Sequence, residues 1–120
     1  SWLTSVAARM GELPRGAGGW ATALEAARRM GDPVQEATVR RQRALGLAAG
    51  ADPDWPAILE DLERAAALFE ASEARPALAR TLRDQGRALD ALGRRDDAAA
   101  ARARAAQLGR EIGLRDASGA

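Results

Sequence analysis

The sequence predicts an all-α chain built as a helical repeat array of about three antiparallel helix pairs. Three observations carry this. A segment nearly repeats itself: Arg41-Gln42-Arg43-Ala44-Leu45 returns as Gln85-Gly86-Arg87-Ala88-Leu89, and Ala65-Ala66-x-Leu68 returns as Ala105-Ala106-x-Leu108. The first halves are offset by 44 residues and the second by 40, a difference that the loop Ala51-Asp52-Pro53-Asp54 supplies. Apolar residues recur at helical spacing along most of the chain, without sustained strand-like alternation. Stop-and-restart signals then divide this pattern into pieces of helix length, and a self-similar helix pair of this size marks an array of stacked units.

Taken in order, Ser1 to Met10 reads as a short helix with Trp2, Leu3, Val6 and Met10 on one face. Leu13-Pro14-Arg15-Gly16-Ala17-Gly18 reads as a loop. Gly19 to Met30 is a helix with Trp20, Leu24, Ala27 and Met30 inward. In Met30-Gly31-Asp32-Pro33, Gly ends one helix, Asp caps the next and Pro opens it. Val34 to Ala49 follows. Trp55 to Ala71 has Asp54 as N-cap and Pro56 just inside, and carries Leu59, Leu62, Ala65, Ala66 and Phe69. Arg75 to Leu92 has Pro76 in its first turn, with Leu78, Leu82, Gln85, Leu89 and Leu92 on one face. Gly93 stops it. Arg95 to Ile112 places Ala98, Ala101, Ala105, Leu108 and Ile112 inward, and puts Asp96 and Asp97 at the positive end of the helix dipole. The pairs are 1–30, 33–71 and 75–113 of a single domain, with 114–120 as a polar tail.

Composition narrows the function classes. The 120 residues suffice for one domain with a modest core. Cys and His are absent, which removes disulfides and thiolate or imidazole metal ligands. Lys, Tyr and Asn are absent too, so all eighteen basic residues are Arg; a GC-rich coding bias accounts for that. Net charge is only +1, without the basic excess of a phosphate-binding domain, so no nucleic-acid partner is expected. No apolar run reaches membrane-span length and no signal-like stretch opens the chain, which makes a cytoplasmic protein the expectation. The missing initiator Met suggests a segment of a longer protein.

The last unit, Leu82-x-x-Gln85-Gly86-x-x-Leu89-x-x-Leu92-Gly93-x-x-Asp96-Asp97-Ala98-(x6)-Ala105, resembles the tetratricopeptide repeat. In that family a small residue midway along the first helix meets an Ala early in the second. Gly86 and Ala98 stand at those positions, and Ala105 leaves room for the next helix. The resemblance extends over 75–113 and more loosely over 33–71. Arg102 replaces the usual aromatic knob, Gln42 replaces the small residue, and the spacing between units exceeds the usual period. The resemblance implies a right-handed array that binds a protein or peptide without a cofactor. The wording Leu-Gly-Arg-Arg-Asp-Asp-Ala also looks like repeat regions of large bacterial transcriptional and signalling regulators.

No catalytic constellation is visible. Acid–base or nucleophilic chemistry would fall to Asp, Glu, Ser, Thr or Arg. Glu60 and Glu63 read as solvated, Asp96 and Asp97 as helix-capping. Gly16-Ala17-Gly18-Gly19 lacks the Lys of a phosphate loop and a preceding strand. Asp52-x-Asp54 is too short for a calcium loop. An enzyme is therefore not expected.

The resemblance instead implies groove positions. Counted from Gly86 they are Arg80, Arg83, Arg87 and Asp90; counted from Gln42 they are Glu36, Val39, Arg43 and Gly46. A register centred on Gly46 substitutes Arg40 and keeps Arg43. Arg43, Arg80, Arg83 and Arg87 converging on a groove would suit an acidic peptide or a terminal carboxylate. The same arginines also fit a solvated helix face neutralised by Asp84 and Asp90 at helical spacing. A second reading is a structural spacer or oligomerisation segment, self-associating through the apolar face of Trp2, Leu3 and Val6. A third is a small-molecule site between Ala-rich helices. Trp20 and Trp55 read as core residues, with Trp55 also placed to act as a surface anchor.

Overall fold

A computed structural model describes residues 17–119, with side chains from 19 to 113. The expected helix over Ser1–Met10, with Trp2, Leu3 and Val6, lies outside the described residues. Those described are all-helical: α1 is Ala17–Met30, α2 Pro33–Ala48, α3 Trp55–Ala71, α4 Arg75–Ala91 and α5 Arg95–Gly119. None of these helices is long and apolar enough to cross a membrane.

Local chemistry explains most boundaries. Asp32 Oδ1 accepts a hydrogen bond from the Gln35 amide at 3.1 Å, and Asp54 Oδ1 from the Ala57 amide at 3.2 Å. Each satisfies an amide that has no partner within its own helix, and Pro33, Pro56 and Pro76 occupy first turns where no donor is needed. Three helices end in the same way. The chain turns left-handed at Gly31 (φ 65°), Glu73 (φ 57°) and Gly93 (φ 79°). The next amide then reaches back to close the last turn: Asp32 to the Ala27 carbonyl, Ala74 to Phe69 and Arg94 to Leu89. At Glu73 the turn is made by a residue with a Cβ.

Two boundaries differ from expectation. α1 begins at Ala17, inside the stretch that reads as a loop, and α5 runs past Ile112 to Gly119. Gly113 does not stop α5, because Leu114-Arg115-Asp116-Ala117 can continue a helix and no proline follows.

Each helix packs on its successor, most extensively α4 with α5 and α2 with α3. The core falls into two clusters, one towards either end of the helices, and each spans α2 to α5. One joins the C-terminal ends of α2 and α4 (Ala44, Ala48, Ala88, Leu89) to the N-terminal halves of α3 and α5 (Ile58, Leu59, Leu62, Ala98). The other joins Ala37 of α2 and Leu78 and Leu82 of α4 to Phe69 of α3 and Ala105 of α5. Successive helices are therefore antiparallel, while α2 and α4 run in one direction and α3 and α5 in the other. Met30, expected inward, is 67% exposed: it is the last residue of α1, beside the Gly31 turn, where α2 has not yet begun. Leu24 and Ala27 of the same helix are buried.

At Gly86, α4 and α5 lie close together. A Cβ there would lie 3.0 Å from Arg102 Cγ and 3.5 Å from the Ala98 carbonyl oxygen. The Arg102 stem thus covers the glycine, and its guanidinium bonds Asp90. An aliphatic stem with a paired head takes the place of an aromatic knob.

Candidate functional site

The exposed face of α4 carries Arg80, Arg83 and Arg87, opposite the buried Leu78, Leu82 and Leu89. Their spacing of three and four residues sets them in one ridge. None of the three has a carboxylate within ion-pair distance among the described residues. Asp84 and Asp90, expected to neutralise them, are engaged elsewhere. Asp84 Oδ2 accepts from Arg41 Nε of α2 at 2.6 Å, and Asp90 from Arg102 of α5. Exposed arginines elsewhere are commonly paired, as in Arg29–Glu25, Arg94–Asp97 and Arg104–Glu70. Only on α4, among the described residues, do three arginines without a carboxylate share a face.

Trp55, the first residue of α3, is half-buried against the cluster of Ile58 and Leu89. The Arg87 guanidinium carbon lies 5.8 Å from the centroid of its ring system. That distance allows a cation–π contact between the guanidinium and the indole. Trp55 is at once a core residue and part of the surface beside the ridge.

Arg43 does not join the other three. Arg41 marks the flank of α2 that reaches α4, and Arg43 lies two residues on, about 200° around the helix. Its fork closes on Asp61 of α3, with Nε donating to Oδ2 at 2.7 Å and Nη2 to Oδ1 at 2.6 Å. Hydrogen bonding to Asp61 raises the Arg43 pKa above its ordinary value; partial desolvation opposes this, and the charges of Asp61 and Glu60 reinforce it. Four arginines therefore do not converge. Three form a ridge and the fourth holds α2 to α3.

Arg40 stands in the same assembly. It is 7% exposed, and it donates from Nη1 to Asp61 Oδ1 at 3.2 Å and from Nε to Glu36 Oε2 at 3.0 Å. Arg28 of α1 reaches Glu36 at 3.6 Å. The sequence carries a signal for this assembly: Asp61 falls three residues after Ile58 and four before Ala65, and Arg40 three after Ala37 and four before Ala44. Both are charges on helical faces otherwise filled by buried apolar residues. Of the remaining groove positions, Val39 is buried and a Cβ on Gly46 would meet Trp20 of α1 at 3.4 Å. Gly46 thus faces the preceding helix, whereas Gly86 faces the following one, so the two glycines are not equivalent.

A shallow recess of about 290 Å³ lies between the end of α3, the Glu73 turn and α5. Phe69, Leu78 and Leu108 line it, with the Glu70–Arg104 pair at its edge. No group of three or more Asp or Glu residues suited to a metal ion occurs among the described residues. Asp54 caps α3, and Glu60 and Glu63 are exposed.

No family model, curated protein or solved structure matches this chain. Fold and surface together define an all-helical protein that presents an arginine-rich helix face flanked by a tryptophan.

Proposed function

We propose that this chain is a non-catalytic module that binds a protein or peptide, built as a tetratricopeptide-like helical array of the kind found in larger bacterial regulators. Its ligand is acidic and docks on Arg80, Arg83 and Arg87. The observation that carries this reading is that the aspartates of α4 are bonded to arginines of other helices while its own ridge keeps three uncompensated guanidiniums. Like charges three and four residues apart cost a helix about 0.2–0.5 kcal/mol per pair, a cost that an acidic ligand would remove. The shared direction of α2 and α4, and the lengthwise clusters that join the pairs, support the array.

The test is fluorescence anisotropy with a labelled acidic peptide against the 120-residue chain and an Arg80/Arg83/Arg87→Gln variant, alongside sedimentation of both. Binding by the wild type that the variant loses, with unchanged mass, supports the module. A mass that rises with concentration while acidic peptides are ignored would establish the spacer or oligomerisation reading instead. The exposed Ala99, Ala103 and Ala106 face of α5 would then be the contact to mutate.

A further inference from the structure

The three ridge arginines sit at defined intervals, and those intervals select the shape of the ligand. Along the α4 axis, Arg83 lies about 4.5 Å and Arg87 about 10.5 Å beyond Arg80, within a sector roughly 60° wide. A second helix with carboxylates at i, i+3 and i+7 reproduces both rises. An extended chain presents side chains to one face only every ~6.7 Å. It can meet Arg83 and Arg87, about 6 Å apart, but has no side chain for Arg80 at the shorter step.

The borders of the ridge sharpen this selection. Asp84 and Asp90 flank it, each already occupied by a guanidinium from a neighbouring helix. A carboxylate placed out of register meets these aspartates, whereas one in register meets an open arginine fork. At the far end, the Arg87 guanidinium carbon lies over the Trp55 ring. That limits the freedom Arg87 loses on pairing and favours a two-bond contact.

We infer that the ligand of this ridge is an amphipathic acidic α-helix, laid along α4 with carboxylates at i, i+3 or i+4, and i+7 on one face. This rests on the reading of the ridge as the docking surface and adds the conformation and spacing of what docks. Arg87 makes the most ordered contact of the three.

The test uses three labelled peptides of equal length and equal Glu content, titrated by anisotropy against the full 120-residue chain. The first is helix-forming with Glu at i, i+3 and i+7. The second is equally helical with Glu distributed around the axis. The third keeps the Glu positions of the first but carries two central prolines that hold it extended. Circular dichroism of each peptide checks its conformation, and the Arg80/Arg83/Arg87→Gln variant is titrated in parallel. The patterned helix is expected to bind on the order of tenfold tighter than either of the others, to lose that advantage in the variant, and to weaken with added salt. Equal binding by the scattered or the extended peptide would overturn the helical ligand while leaving acidic-peptide binding intact. No binding of any acidic peptide to wild type would overturn both. Undiminished binding to the variant would also overturn both, by moving the site off α4.

Discussion

Asp61 is 6% exposed and holds two arginines, so its removal does more than delete a hydrogen bond. Asp61→Ala leaves Arg40 buried with only Glu36 for compensation, and releases the fork of Arg43. Breaking such a buried pair by removing one partner costs about 3–5 kcal/mol. A loss of about 3 kcal/mol in urea unfolding is expected, since Glu36 retains part of the Arg40 charge. Glu73 supplies the opposite sign. It holds a left-handed φ where the two equivalent turns use glycine, and its carboxylate has no hydrogen bond or ion pair among the described residues. Glu73→Gly is expected to raise stability by up to about 1 kcal/mol, read as a higher melting temperature, once the extra unfolded-state freedom of glycine is deducted. These residues differ in how openly the sequence displays them. The caps Asp32 and Asp54 are legible because a cap is a local bond to an amide three residues on. The partners of Asp61 are set by how α2 leans on α3, a tertiary fact that helical spacing flags only as a charge on the wrong face. No neighbouring residue marks Glu73 as a left-handed position.

Glycine has opposite consequences at two positions of the α4–α5 pair. At Gly86 a Cβ would press on the Arg102 stem and come into ordinary contact with the Ala98 carbonyl, so a larger side chain has no room. Gly86→Leu must push α5 away and break the Arg102–Asp90 pair, an overpacking that costs about 2–3 kcal/mol. At Gly109, inside α5, a Cβ would meet no atom within 4 Å. Gly109→Ala is expected to add nearly 1 kcal/mol from helix propensity alone. Urea titrations of the two variants should move in opposite directions from wild type. Small-residue spacing made Gly86 readable as a close-packing point, and the Leu82, Leu89 and Leu92 stripe fixed which face it served. The far end of α5 was not readable in the same way, because a lone glycine followed by helix-compatible residues does not fix where a helix ends. Nor did the spacing show that Gly46 receives Trp20 from the helix before it.

At the scale of the molecule, the charges divide into a set that holds helices together and a set that faces outward. Arg41–Asp84 joins α2 to α4, Arg43–Asp61 joins α2 to α3, and Arg104–Glu70 joins α5 to α3. Arg80, Arg83 and Arg87 pair with no carboxylate among the described residues, and Arg87 touches α3 through the Trp55 ring. Helical spacing marks Asp61 and Arg40 as charges on apolar faces, but it does not separate Arg41, Arg43 and Arg104 from the ridge arginines, because only the packing decides which of them meet an acid. That is why Arg43 looked like a member of the ridge. The division predicts that stability and binding respond to different arginines. Arg80/Arg83/Arg87→Gln removes two like-charge spacings and keeps a good helix former at each position, so the fold should be unchanged or slightly more stable, by less than about 1 kcal/mol. The loss of the Arg87 contact with Trp55, about 0.5–1 kcal/mol at an exposed site, is of the same size as that gain and leaves the fold close to wild-type stability. Arg43→Gln should do the reverse, lowering stability by about 1–2 kcal/mol through the loss of a partly exposed two-bond pair, while leaving acidic-peptide affinity close to wild type. Urea unfolding and anisotropy on the same two variants give a two-by-two outcome. If Arg43→Gln weakens peptide binding as much as the triple change does, the arginines do not divide as the packing indicates, and the ligand must reach around α2.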